Sequence, residues 1–159
     1  MFKNFHKFIV VGIVFTIILG CILHFVYEWS GNNSFVGLIC PVNESTVEHL
    51  KLLYFPMLVW VVIGYYIFAR KNRSYFPAAF AGLVCGLISI PVLFYSYINF
   101  TQNSILAVDI AIFVISVILA YVVFDYLFLN YNIQTFSVAT GVLLWEFVFV
   151  AFTAYYLFL

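Results

Sequence analysis

Five apolar stretches, each about 20 residues or longer, fill most of this chain. A backbone in lipid has no water to bond to, so only helices and closed barrels cross a bilayer. A helix needs about 20 apolar residues to do so. Barrel strands alternate polar and apolar side chains, and these stretches do not. Charged residues make up only 8% of the chain, against about 25% in soluble domains. The sequence therefore predicts an all-α, polytopic transmembrane five-helix bundle, one integral membrane domain over residues 1–159. Its spans are expected at about 8–28, 46–69, 75–98, 104–128 and 135–158. A formal net charge of zero suggests no nucleic-acid partner.

The spans carry packing signals. Gly12, Thr16, Gly20, His24 and Glu28 recur every fourth residue along the first, so they share one slowly drifting helix face. Small residues on such a face let a neighbouring helix approach closely. Gly82 and Gly86 offer the same opportunity on the third span. Pro56 and Pro91 should kink their helices, and Pro77 suits a first turn. Trp29, Tyr54 and Tyr155 or Tyr156 are candidate anchors at the outer interface. Ser30-Gly31-Asn32-Asn33-Ser34 is a turn cluster. The apolar piece Phe35–Cys40 that follows ends at Pro41, so an ordered or re-entrant loop is expected between the first two spans.

Lysine and arginine set the orientation. Lys3, Lys7, Arg70, Lys71 and Arg73 fall on one side and Lys51 on the other. The N-terminus is thus expected in the cytoplasm, with the His24–Lys51 stretch facing out. Lys3 and Lys7 ahead of an apolar run look like a signal peptide, but the run continues well past Gly20, so an uncleaved first helix is expected. The Phe-, Ile-, Asn- and Tyr-rich composition resembles that of an AT-rich bacterium, which points to a bacterial plasma membrane.

The same outward stretch concentrates the polar chemistry. His24 and Glu28 end the first span, and Asn43, Glu44, Glu48 and His49 begin the second. Asp109 lies near the outer end of the fourth span, and Glu146 near the middle of the fifth. Ionisable groups inside a membrane mark functional sites by default. If these groups converge, His24, His49, Glu28 and Glu48 are candidate ligands for a divalent metal such as zinc or iron. The wider ligand-binding set adds Asn43, Glu44, Asp109 and Glu146. Simpler roles compete with this reading. Ser45-Thr46-Val47-Glu48 is a capping box, in which Glu48 would reach back to the helix start. His24 can bond Glu28 or a loop carbonyl, His49 and Lys51 can pair with acids across the loop, and Asp125 can pair with Arg70 or Arg73. Cys21, Cys40 and Cys85 form no C-x-x-C pair and suggest no disulfide framework.

Two segments, His24-Phe25-Val26-Tyr27-Glu28-Trp29-Ser30-Gly31 and Pro41-Val42-Asn43-Glu44-Ser45-Thr46-Val47-Glu48-His49-Leu50-Lys51, resemble an uncharacterised family of small integral membrane proteins from clostridia and related bacteria. Val47 stands where that family's pattern has tryptophan. The resemblance implies no function of its own, but it draws His24, Glu28, Asn43, Glu44, Glu48 and His49 together. The leading expectation is a protein that binds or transports a cation, metal or small ligand. The alternatives are a metal-dependent membrane enzyme acting on a lipid or isoprenoid, and a structural or assembly subunit of a membrane complex. A homo-oligomer or a larger membrane partner is expected for a chain of 18.3 kDa.

Overall fold

A computed structural model describes residues 2–69, 72–131 and 138–157. Helices account for nearly all of them, with no strand among the described residues. Helix α1 is Phe2–Trp29, and two short helices follow, α2 (Ser34–Gly37) and α3 (Thr46–His49). The later helices are α4 (Lys51–Gly64), α5 (Tyr75–Thr101), α6 (Leu106–Asn130) and α7 (Val138–Leu157). A π-helical turn, Tyr65–Ala69, extends α4. Five segments are long and apolar enough to cross a membrane: Asn4–Trp29, Thr46–Phe68, Tyr75–Thr101, Leu106–Asn130 and Thr140–Leu157. Arg70, Lys71 and the expected start of the last span at Thr135 lie outside the described residues.

Small residues fix the helix crossings. A Cβ on Gly12 would lie 2.3 Å from the Trp60 indole nitrogen and 2.7 Å from the Tyr121 ring. One turn on, the buried Thr16 hydroxyl bonds the Tyr121 hydroxyl at 2.8 Å. At Gly20 a Cβ would lie 2.7 Å from the Leu52 carbonyl oxygen. Within α4, that carbonyl would normally accept from residue 56, but Pro56 has no N–H. The gap in the ladder and the glycine therefore coincide, and α1 presses against α4 there. The Gly82 and Gly86 pair does the same for α5 and α6. A Cβ at Gly82 would lie 2.3 Å from the Ala120 carbonyl oxygen, and one at Gly86 2.9 Å from the Ala120 methyl. Both small-residue faces are thus occupied inside the bundle.

Aromatic packing fills the end of the bundle near the N-terminus. The Phe5 ring packs at a 45° tilt against Phe128, 4.5 Å between centroids, and meets Phe68 and Phe124 edge-on. Phe8 stacks on Trp60 at 4.7 Å. Trp29 is exposed, as an interfacial anchor would be, but Tyr54 is buried and donates its hydroxyl to the Trp145 carbonyl at 2.7 Å. Tyr54 is therefore a core residue, contrary to its expected place at the interface.

The connection between the first two spans is an ordered cap. Gly31 and Asn32 take left-handed backbone conformations, φ 70° and 60°, and end α1. The Asn33 side chain then caps α2 by accepting from the Phe35 N–H at 2.9 Å. Gly37, Cys40 and Pro41 are buried. A latch of two fully buried charges holds this cap down. Lys51 Nζ donates to the Gly37 carbonyl at 2.9 Å and to Glu48 Oε2 at 2.7 Å, and the same oxygen accepts from the Val42 N–H at 3.0 Å. The ammonium also sits 5.2 Å from the centre of the Tyr156 ring, which ties the cap to α7.

Candidate metal centre

The close contact of Gly20 with Leu52 determines what meets beyond it. Residues one turn further up α1 must face residues one turn earlier in the antiparallel second span. Those residues are His24 and His49. Their ring centroids lie 5.1 Å apart. Glu44 joins them from the turn that precedes α3, where Asn43 Oδ1 accepts from the Ser45 N–H at 2.9 Å. His49 Nε2 and Glu44 Oε2 are 3.3 Å apart. One ligand atom from each of His24, Glu44 and His49 lies within 4.8 Å of the other two.

Hydrogen bonding orients the His49 ring. Its Nδ1 is 2.9 Å from the Ser45 carbonyl oxygen. A carbonyl only accepts, so Nδ1 carries the proton and donates it. In the neutral ring this leaves Nε2 as a lone pair aimed at a carboxylate, an arrangement that repels unless a proton or a cation lies between them. A backbone carbonyl holding one imidazole nitrogen while the other ligates is the usual support of a metal-binding histidine. His24 adds a second unmet demand, because its Nδ1 is enclosed and lacks a hydrogen-bond partner. A tetrahedral ion with bonds of about 2.0–2.1 Å needs ligand atoms about 3.3 Å apart. The His49–Glu44 separation already has that length. The Glu44 side chain is 85% exposed and free to adjust.

The cluster borders a cavity of about 370 Å³. Glu44, His49, Ser104 and Asp109 are among its polar lining, with Leu52, Ile90, Phe94 and Phe113 as apolar walls. Asp109 accepts from the Ser104 and Tyr97 hydroxyls. The Tyr97 oxygen in turn accepts from the Ile105 N–H at 3.2 Å, which fixes the α5–α6 corner. Thr46 Oγ1 donates to the Tyr95 hydroxyl at 3.3 Å and ties α3 to α5.

The structure thus brings His24, Glu44 and His49 together and places Asp109 in the adjoining cavity. Other predicted members sit elsewhere. Glu48 turns toward Lys51 and Val42. The first half of the capping box forms, with the Glu48 N–H donating to Ser45 Oγ at 3.3 Å, but Asn43 rather than Glu48 serves the Ser45 N–H. Glu28 and Asn43 are exposed. Glu146 is exposed on α7 and lines a different groove, beside Tyr54 and Trp145. Asp125 pairs with His6 Nδ1 at 2.8 Å and, among the described residues, not with Arg73; Arg70, the other expected partner, lies outside them. Phe5 meets Phe124 edge-on, and the next residue on each helix forms the His6–Asp125 pair. Cys40 lies in the cap, and burial raises its thiol pKa, with the Lys51 charge pulling partly the other way.

No curated protein and no solved structure matches the chain. The profile of the family of unknown function DUF6512 matches residues 1–159. The chain belongs to that family.

Proposed function

We propose that this membrane protein binds a divalent transition metal, zinc or iron, through His24, Glu44 and His49 on its extracytoplasmic side. The observation that carries the reading is the His49 ring. Its Nδ1–H is committed to the Ser45 carbonyl, and its Nε2 faces Glu44 at 3.3 Å beside a His24 ring whose Nδ1 lacks a hydrogen-bond partner. Two imidazoles and one carboxylate leave a coordination position free. The cavity leading to Asp109 gives a small ligand room beside that position. Binding, and delivery of what is bound, is the function this arrangement serves best.

A second reading, a metal-dependent membrane enzyme acting on a lipid or isoprenoid, draws on one further observation. Asp109 shares the cavity with His49 and Glu44, where a carboxylate can take or return a proton. Metal titration of the detergent-purified chain tests the shared premise. About one zinc ion per chain is expected, with affinity falling on acidification because protons compete for imidazole nitrogens. Each of H24A and H49A should weaken binding by about 100-fold or more, above the 10–100-fold cost of losing a mere supporting partner. Glu28→Gln should leave it unchanged. Equal affinity in H24A, H49A and the parent chain would sink the proposal.

A further inference from the structure

The cap and the His24, Glu44 and His49 cluster meet in one short segment. Glu44 lies between Val42 and Ser45, and both of these are tied to α3. The Val42 N–H donates to Glu48 Oε2 at 3.0 Å, and the Ser45 carbonyl accepts from His49 Nδ1 at 2.9 Å. The Ser45 hydroxyl also accepts from the Glu48 N–H at 3.3 Å. Glu48 therefore fixes where Glu44 stands relative to His49 without belonging to the cluster. Lys51 carries the same attachment to the other side of the cap, joining Glu48 Oε2 at 2.7 Å to the Gly37 carbonyl at 2.9 Å. One ion pair thus fastens the cap at both Gly37 and Val42. Glu48 Oε1 is enclosed and has no hydrogen-bond partner among the described residues. Lys51 and Val42 are then all that compensates a fully buried carboxylate. A buried charge that loses its partner is costly, so the latch is either made or broken, with little between.

We propose that the Glu48–Lys51 pair positions the metal ligands, and that cap closure and metal binding are one coupled equilibrium. The inference rests on the metal reading of His24, Glu44 and His49. With the latch broken, Val42 leaves Glu48 and Glu44 is no longer held beside His49. An open cap leaves two imidazoles without a fixed carboxylate. A bound ion in turn ties Glu44 to His24 on α1 and holds the root of the cap shut. Linkage makes the effects reciprocal: the factor by which metal disfavours opening is the factor by which opening weakens metal binding.

Cys40, 2% exposed within the cap, reports opening in a full chain with Cys21 and Cys85 replaced by serine. Maleimide labelling is followed in detergent with and without saturating zinc, and bound zinc is measured in the same samples. Zinc should slow Cys40 labelling about tenfold, inside the 5–150-fold range of typical couplings. In H49A that protection should vanish. Ser116→Cys, in a chain that also lacks Cys40, reports opening of the bundle from a fully buried position on α6 and should label far more slowly than Cys40. Lys51→Met should speed Cys40 labelling and weaken zinc binding about tenfold. Gly37→Val should do the same with the latch residues and all three ligands retained, so the test stands even if Lys51→Met does not fold. A Cβ at Gly37 would lie 2.8 Å from the Val42 side chain and 3.1 Å from the Tyr156 ring, which wedges the cap off α7. Zinc bound by the parent chain without slower Cys40 labelling overturns the coupling and leaves the metal reading standing. So does zinc bound as tightly by a variant whose Cys40 labels fast, or equal labelling of Cys40 and Ser116→Cys. Protection that persists in H49A overturns it too, because zinc would then be binding the Cys40 thiol directly. A parent chain that binds no zinc overturns both, and the zinc measurement identifies that case.

Discussion

At single residues, contact distance decides more than hydrogen bonding. The Thr16–Tyr121 bond is buried and well formed at 2.8 Å. Interhelical bonds of this kind contribute only about 0.6 kcal/mol on average in a membrane, because the separated helices find other partners. Thr16→Val should therefore shift unfolding by less than about 1 kcal/mol. Gly82 is different, because a methyl there would meet the Ala120 carbonyl at 2.3 Å. The obstacle is backbone, so α5 and α6 must separate, at a cost of about 1–3 kcal/mol. Urea or SDS titration of Gly82→Ala beside Thr16→Val measures the contrast. A larger loss for Thr16→Val would reverse this ranking. Both residues stood out in the sequence by their spacing. Glu146 did not reveal its exposure there, because where α7 points depends on contacts with helices many residues away.

Among the elements, the cap over the end of the bundle away from the N-terminus is the one built around charge. Glu48 and Lys51 are both fully buried, and together they hold Gly37 and Val42. Removing one partner strands the other, which costs about 3–5 kcal/mol in buried pairs. Lys51→Met alone should thus be severe, and Glu48→Gln with Lys51→Met together should cost less than the sum of the two singles. Cys40 reports the cap directly. Its thiol is buried and its pKa is raised, so at neutral pH it stays protonated and unreactive. In a chain with Cys21 and Cys85 replaced by serine, maleimide should label Cys40 slowly until Lys51→Met releases the cap. Fast labelling of the unmodified latch would show that the cap is not held. Ser45-Thr46-Val47-Glu48 made the start of α3 legible in sequence. It misdirected Glu48, because an ammonium three residues further on is a stronger partner than a backbone N–H. The cap's order was only half legible, since Phe35–Cys40 is apolar enough to enter a membrane and only its tertiary anchors define its place.

For the whole molecule, the apolar stretches made the five spans readable because lipid leaves the backbone so few options. The meeting of His24 with His49 was less readable. It follows from Gly20 lying against the carbonyl that Pro56 leaves free, a coincidence visible only once α1 and α4 are in register. The lysine and arginine bias also predicts a side. A membrane-impermeant thiol reagent added to intact cells should modify Glu44→Cys in a chain lacking its native cysteines. Protection from outside with modification after lysis would invert the proposed topology. The central claim is that His24, Glu44 and His49 hold one metal ion. X-ray absorption at the zinc edge of the loaded protein tests it most directly. The account predicts two imidazole nitrogens at about 2.0–2.1 Å and an oxygen at about 2.0–2.2 Å, with one imidazole lost in H49A. A spectrum without imidazole scattering, or one unchanged in H49A, would contradict it.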